Sequence, residues 1–171
     1  MLEAVQHIKQ LRGGSQAQLM VASDGYLYVV KFQNNPQHTR VLANEYLASR
    51  LARQLGLPVP DVEIIYVDEK LIAAQNISIE TNRGPIAVCS GTALASRFVD
   101  AYFVSEYLPN FQVKNVANVY DFMGMLAFDK WTSNADGRQA IFHKDRGQAL
   151  FSATFIDFGY FRWIHNFGRK S

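Results

Sequence analysis

The sequence has almost no cysteine and almost no excess of charge of either sign. A single cysteine, Cys89, among 171 residues excludes an intramolecular disulfide framework and a zinc site built from several cysteines. Seventeen basic and fifteen acidic residues leave a formal net charge of +2, too small to predict nucleic-acid binding from bulk charge. The four histidines are scattered without the spacing of metal ligands. The sequence therefore argues against disulfide-rich scaffolds and histidine- or cysteine-based metal proteins.

Long apolar runs, internal repeats and low-complexity segments are also missing. No apolar stretch approaches the roughly 18 residues of a membrane span, and residues 1–10 lack the apolar core of a signal peptide. Apolar residues still make up 49% of the chain and aromatic residues 13%, which is enough for a packed core. Since domains average about 150 residues, we expect one globular domain or two small lobes. Without a predicted membrane span or signal peptide, we expect the protein to be cytoplasmic and to have no membrane partner.

The first half of the chain reads mainly as strands. Two β-rich runs, 19–22 and 26–32, flank the tripeptide Ser23-Asp24-Gly25, and an Asp-Gly pair between such runs predicts a hairpin. On the second strand Val29 and Lys31 share one face, and a lysine that closes an apolar strand is unusual. Further strands are expected at 63–67, 71–74 and 86–89, with a polar loop or irregular ribbon over 75–85.

One helix is predicted after this hairpin. Asn35 is a suitable N-cap and Pro36 a suitable first helical residue. The helix should continue to Leu55, where Gly56 provides a C-cap. Glu45 lies at the edge of the apolar stripe of this helix, so we expect it to lie beside the core rather than opposite it.

The dipeptide Pro109-Asn110 predicts a break between a first unit, 1–108, and a second unit, 109–171. The second unit shows helical periodicity over 116–131 and a second hairpin over 140–156. The predicted fold class is therefore α+β. An antiparallel sheet with one helix would form the first unit, and a short helix with a hairpin would form the second.

Polar residues with related chemistry flank these predicted elements. Gly13-Gly14-Ser15 precedes the first hairpin, and backbone amides without bulky side chains can approach a phosphate there. Asp136 precedes the second hairpin and Asp157 follows it, so the antiparallel return of the chain brings the two carboxylates close together. Two carboxylates near a lysine, here Lys31, are what a magnesium–phosphate site requires.

The order of these motifs resembles the HipA-like branch of the protein-kinase fold. The matching segments extend over nearly the whole chain and are Gly13-Gly14-Ser15-Gln16, Tyr28-Val29-Val30-Lys31-Phe32, Asn44-Glu45-Tyr46-Leu47-Ala48, Leu55-Gly56-Leu57-Pro58-Val59-Pro60, Phe128-Asp129-Lys130-Trp131-Thr132-Ser133-Asn134-Ala135-Asp136 and Ile156-Asp157-Phe158-Gly159. The resemblance implies a kinase-like fold with ATP and Mg²⁺ as cofactors.

The resemblance also implies a role for each matching residue. Lys31 would contact the α- and β-phosphates and pair with Glu45, and Asp157 would hold magnesium. Asp136 would accept the proton of the attacked hydroxyl. The other nucleotide-binding residues that it implies are Gly13, Gly14 and Ser15 over the phosphates, Val29 in the adenine pocket, and Glu106, Tyr107 and Leu108, whose backbone would meet the adenine.

Two departures from the family pattern bear on activity. The family has a metal-binding asparagine five residues after the catalytic aspartate, and this sequence has Ile141 there, with Gln139 nearby as a partial replacement. Only 12 residues follow Gly159, too few for an activation segment and a full helical second lobe. The sequence therefore predicts a truncated or degenerate member, in which nucleotide binding is better supported than phosphoryl transfer.

Three functions remain open from the sequence. The first is an ATP- and magnesium-binding, HipA-like serine/threonine kinase with a protein phosphoacceptor. The second is a pseudokinase or protein-interaction module that binds a partner and catalyses nothing, and the third is a phosphotransferase for a small molecule. A protein that Mg-ATP does not stabilise against unfolding would favour the pseudokinase or interaction module over the two ATP-using functions.

Overall fold

The computed structural model describes residues 1–134 and 136–160, and the end of the predicted second unit, 161–171, lies outside the described residues. Within these ranges ten strands and three α-helices follow one another along the chain. They are β1 (Leu2–Gln10), β2 (Gln18–Ala22), β3 (Leu27–Lys31), α1 (Thr39–Gln54), β4 (Val62–Val67), α2 (Glu69–Gln75), β5 (Ser78–Thr81), β6 (Gly84–Ala87), β7 (Gly91–Arg97), β8 (Phe103–Ser105), α3 (Asp121–Trp131), β9 (Gln139–Lys144) and β10 (Ser152–Ile156). The predicted α+β class is confirmed.

Five strands close into a barrel in the order β1-β2-β3-β7-β4. Neighbouring strands run antiparallel except at the seam, where β1 pairs with β4 in parallel over Leu2↔Ile65 and Glu3↔Tyr66. The prediction of a purely antiparallel sheet is therefore wrong at this seam. Side chains that point inward along each strand form the barrel core, among them Met20, Val30 and Ile65, all of them fully buried.

The first helix begins later than its sequence signals suggested. His38 is the N-cap of α1, with its Nδ1 accepting from the Arg40 amide at 3.1 Å. Asn35, the expected N-cap, is buried and stabilises the preceding turn, where it donates to the Phe32 carbonyl at 2.7 Å and accepts from the Gln37 amide at 2.8 Å. An asparagine side chain can serve a turn as well as a helix, which explains the shifted start.

The segment 71–74, predicted as a strand, lies instead in α2. Asp68 caps this helix by accepting from the Lys70 amide at 2.7 Å. A regular hairpin of β5 and β6 fills much of 75–85, which was expected to be a polar loop or irregular ribbon. The part of the chain before residue 109 therefore contains two α-helices, where one was predicted.

Three strands form a second sheet in the order β10-β9-β8. Its β9–β10 hairpin pairs Ile156 with Gln139 and Ser152 with His143, which confirms the hairpin predicted over 140–156. The helix predicted over 116–131 is shorter, because α3 begins only at Asp121; residues 110–115, ahead of the predicted range, form a 3₁₀ helix. None of the helices in the described ranges is long and apolar enough to cross a bilayer.

The chain passes from the barrel to the second sheet through residues 98–102. β7 belongs to the barrel, whereas β8 pairs with β9. The Phe98 amide donates to the Leu27 carbonyl at 2.9 Å and the Arg97 amide to the Asp61 carbonyl at 2.7 Å, so the start of the crossing is fixed to the barrel. The division into 1–108 and 109–171 stays a prediction, and β8, from the first of these ranges, pairs with a strand of the second.

A shared apolar core holds α1, α3 and the second sheet together. Its buried members include Ala48 and Ala52 of α1, Met125 and Phe128 of α3, and Phe155 of β10. Because one cluster draws on all three elements, the helix that follows the barrel strand β3 is packed directly against the second sheet. This packing determines how the two sheets face each other.

Candidate active site

A cleft of about 1080 Å³ is lined by barrel residues on one side and by residues of the second sheet and its loops on the other. Most residues selected from the sequence line this cleft, namely Gly13, Gly14, Ser15, Val29, Lys31, Glu45, Glu106, Tyr107, Asp136, Gln139 and Asp157. Residues from distant parts of the chain therefore converge on one cavity.

Leu108 does not line the cleft. Its side chain is buried in a separate apolar cluster with Val116, Phe151 and Ala153. The two preceding residues, Glu106 and Tyr107, do line the cleft. A backbone contact between Leu108 and a nucleotide therefore stays a prediction.

Lys31 lies between two carboxylates. It is the last residue of β3, and its Nζ donates to Glu45 Oε2 of α1 at 2.6 Å and lies 3.9 Å from Asp157 Oδ1. Its side chain is 11% exposed and that of Glu45 is 5% exposed, so water screens this pair weakly. The ammonium group is thus held in one place at the cleft wall.

Burial raises the pKa of Glu45 above its ordinary value, and the negative charge of Asp157 adds to the rise. The Lys31 ammonium opposes both effects through its charge and its hydrogen bond. A carboxyl group this far from water stays ionised only with such a partner. Glu45 and Lys31 therefore depend on each other.

Asp157 follows β10 in a left-handed backbone conformation, with φ at 61°. Non-glycine residues adopt this conformation at a cost of order 1 kcal/mol or more, and only where their surroundings enforce it. Its side chain is 28% exposed, and Gln139 Nε2 donates to its Oδ2 at 3.3 Å. The carboxylate is therefore accessible from the cleft and supported from the neighbouring strand.

Asp136 lies in the loop between α3 and β9 and is exposed at the cleft. Its Oδ1 accepts from the Gly137 amide at 2.8 Å, and its own amide donates to Asn134 Oδ1 at 3.4 Å. These bonds hold Asp136 within its loop, at the lining of the cleft.

The glycine-rich segment forms a turn at the cleft. Gly13 has φ at 128°, a conformation that suits glycine, and its carbonyl accepts from the Gln16 amide at 3.1 Å. A Cβ on Gly14 would lie 3.1 Å from Gln37 Nε2, so a small residue fits best there. The turn can place backbone amides near a bound anion.

The metal-ligating side chains of the cleft are too few to hold a magnesium ion by themselves. They suit a magnesium ion that is also bound by the phosphates of a nucleotide. No group of three or more His, Cys, Asp or Glu side chains in the described residues could hold a metal. Asp157 supplies one carboxylate and Gln139 an amide oxygen, whereas Ile141 lines the cleft without a donor. Mg²⁺ in nucleotide sites uses one or two carboxylates and completes its shell with phosphate oxygens and water.

Sequence reasoning missed the cleft residues at the end of β7. Arg97, Phe98 and Val99 line the cavity where the chain leaves the barrel, and the Arg97 guanidinium lies 3.3 Å from the centre of the Tyr26 ring. No strand was predicted over 91–97, and the break between the two units was predicted at Pro109-Asn110, so these residues carried no signal in the sequence.

Comparisons with known proteins identify the family and a similar fold. A sequence profile described as HipA-like kinase matches residues 4–145. Among solved structures, the Helicobacter pylori proinflammatory kinase CtkA superposes with a TM-score of 0.57 at 15% identity. That match covers 91% of this chain and 58% of the kinase chain, so this chain spans less than two-thirds of its length. No curated protein matches the sequence. Since the profile covers most of the sequence, the chain belongs to the HipA-like kinase family.

Proposed function

We propose that the protein binds ATP with a magnesium ion in this cleft and transfers the terminal phosphoryl group to a serine or threonine of a protein substrate. The observation that carries the proposal is the Lys31 Nζ, held 2.6 Å from Glu45 Oε2 and 3.9 Å from Asp157 Oδ1 in the cleft wall. A fixed cation beside an accessible carboxylate and a glycine-rich turn suits a polyphosphate. Membership of a kinase family supports the same reaction class.

Lys31 would bind the α- and β-phosphates. Its hydrogen bond to Glu45 fixes the direction of the ammonium, whereas the longer distance to Asp157 leaves room for phosphate oxygens to approach. Val29 lies two residues earlier on β3 and lines the same cleft, which places an apolar surface where an adenine ring can pack. Gly13 and Gly14 would approach the phosphates with their backbone amides.

Asp157 and Gln139 would hold the magnesium ion, which neutralises charge on the β- and γ-phosphates when it is bound. Asp157 contributes the carboxylate. Gln139 contributes its amide oxygen, since its Nε2 already donates to Asp157 at 3.3 Å. Asp136 is not assigned to the metal, because its carboxylate accepts a hydrogen bond from the Gly137 amide within its own loop.

In the proposed transfer, the substrate hydroxyl oxygen forms a bond to the γ-phosphorus of ATP. The bond between that phosphorus and the β,γ-bridging oxygen breaks, and ADP leaves with the bonding electron pair. The hydroxyl proton passes to the carboxylate of Asp136, which is exposed at the cleft. Catalysis would then consist mainly of positioning and charge neutralisation.

Three substitutions test this proposal by thermal unfolding with and without Mg-ATP and by transfer of labelled phosphate. A ligand at 100 times its Kd adds about 2.7 kcal/mol to the free energy of unfolding. We expect Lys31→Ala and Asp157→Asn to lose most of this gain. Asp136→Asn should keep it and lose transfer, because this residue acts only on the hydroxyl proton.

Lys114→Ala, at an exposed lysine that does not line the cleft, is the matched control and should behave as wild type. Transfer by Asp136→Asn would contradict the assignment of the base. Absence of any shift in wild type at millimolar Mg-ATP would contradict the proposed nucleotide site.

The second candidate is a pseudokinase that binds a protein partner without catalysis. Ile141 favours it, because an apolar side chain occupies the cleft position at which the family pattern has a metal ligand. A wild-type protein that Mg-ATP does not stabilise and that transfers no phosphate would support this alternative. If Ile141→Asn restored phosphoryl transfer, the absence of transfer in wild type would be due to Ile141.

A further inference from the structure

We infer that the ion pair of Asp129 and Arg138 is the positioning unit of the active site, since it connects the loop of Asp136 to the segment of Asp157. The inference rests on the proposed function and deepens it. Neither residue lines the cleft, so neither has a direct contact with a substrate there. Both act through the residues that they hold.

Arg138 holds the backbone on both sides of Asp157. Its Nη1 donates to the carbonyl oxygens of Ile156 and Asp157, each at 2.9 Å, and its guanidinium lies 4.1 Å from the centre of the Phe158 ring. These contacts surround the one residue of the segment with a left-handed φ. Arg138 therefore supplies the surroundings that this conformation requires.

Asp129 holds Arg138 and the Asp136 loop at the same time. Its Oδ2 accepts from Arg138 Nε at 3.1 Å, and its Oδ1 accepts from Arg138 Nη2. The same Oδ1 accepts from Asn134 Nδ2 at 3.1 Å, and Asn134 in turn contacts the backbone of Asp136. One carboxylate at the end of α3 thus controls the geometry of both acidic residues.

The pair is suited to this task by its burial and its shape. The Arg138 and Asp129 side chains are 13% and 15% exposed, so their attraction is only weakly screened. A planar guanidinium can engage a carboxylate with two donors while its remaining donors reach carbonyl groups. Lysine, a single point charge, cannot reproduce these simultaneous contacts.

The test compares ATP affinity with and without magnesium in wild type, Arg138→Lys, Arg138→Met and Asp129→Asn. We expect metal-free ATP binding to stay within about twofold of wild type, because Lys31 and the glycine-rich turn are untouched. The gain in affinity on adding magnesium should fall at least tenfold in Arg138→Met and less in Arg138→Lys. A merely structural role would weaken both affinities equally. Arg50→Met, whose side chain is 53% exposed, is the control.

Hydrogen exchange of the ligand-free proteins gives a second readout that needs no nucleotide. We expect faster exchange in peptides covering both 132–140 and 152–160 in Arg138→Met and Asp129→Asn, with unchanged exchange in the barrel. Unaltered exchange in both peptides, or a full magnesium gain in Arg138→Met, would overturn the inference. If wild type binds no ATP, the proposed function fails and the exchange measurement alone decides the positioning role.

Discussion

The carboxyl group of Glu45 is almost entirely buried, and one neighbouring charge opposes the free-energy cost of that burial. The Lys31 ammonium at 2.6 Å offsets the cost of burial, and the same contact fixes the lysine toward the cleft. Removing either partner would leave a buried charge without compensation. The pair is therefore a stability requirement and a functional arrangement at once.

The raised pKa of Glu45 gives the stability a pH dependence of defined sign. Above the ordinary value of 4.5 the unfolded chain releases this proton, whereas the folded protein retains it until its higher pKa is passed. The contribution of Glu45 to the free energy of unfolding therefore falls as pH rises from 4.5 through that folded value. We expect Glu45→Gln to remove this fall, as measured by urea unfolding between about pH 4 and about pH 8.

Glu63→Gln is the control for that experiment, because the Glu63 side chain is 53% exposed. Its pH profile should follow that of wild type. Parallel profiles for wild type and Glu45→Gln would contradict a raised pKa at Glu45.

At the scale of elements, the β5–β6 hairpin supports the glycine-rich turn although it lies outside the barrel. Gln16, just after the turn, donates from Nε2 to the Glu80 carbonyl at 2.8 Å and accepts from the Glu80 amide at 2.6 Å. One side-chain amide thus forms the two hydrogen bonds that a neighbouring strand would form. The hairpin holds the start of β2 and, through it, the turn at Gly13.

We expect Gln16→Ala to weaken ATP binding three- to tenfold while lowering the free energy of unfolding by about 1 to 3 kcal/mol, the usual value of two hydrogen bonds. The glycine-rich turn would keep its backbone conformation but would no longer be held in one position at the cleft. Calorimetric titration with ATP and urea unfolding measure the two effects. Gln6→Ala, at an exposed position of β1, is the control. An affinity equal to that of wild type would show that the hairpin does not position the turn.

Local signals predicted the two main hairpins and the body of α1, and they misassigned the segment at 71–74. That run is too short and too uniformly apolar for its periodicity to distinguish helix from strand, and the cap at Asp68 decides the outcome. The contact between Gln16 and Glu80 spans 64 residues and leaves no trace in the sequence pattern. The pairing of Lys31 with Glu45 was expected only from the family resemblance, whereas the hairpin already suggested that Asp157 lies near Lys31; the roles of all three residues remain predictions.

At the scale of the whole molecule, the apolar cluster around Met125 joins parts that the sequence divided into two units. Its members come from α1, α3 and β10, so residues before and after 109 share one core. The sequence could not show this, because the position of a core between elements depends on tertiary packing. A shared core indicates that both parts unfold together.

We expect Met125→Ala to lower the free energy of unfolding by about 2 to 5 kcal/mol, because the side chain is 1% exposed and leaves a cavity. Far-UV circular dichroism and tryptophan fluorescence should report one coincident transition in wild type and in the variant. Met123→Ala, at a residue 72% exposed on the same helix, is the control and should change little. Two separate transitions would contradict a single cooperative unit.

The seam between β1 and β4 has a practical consequence for handling the protein. Only two residue pairs join these strands, and both involve the extreme amino terminus, Leu2 and Glu3. Trimming the chain there, or straining it with a bulky fusion, would free the backbone amides and carbonyls of β4 and create an edge that invites strand addition and aggregation. Affinity tags therefore belong on a flexible amino-terminal linker or at the other terminus.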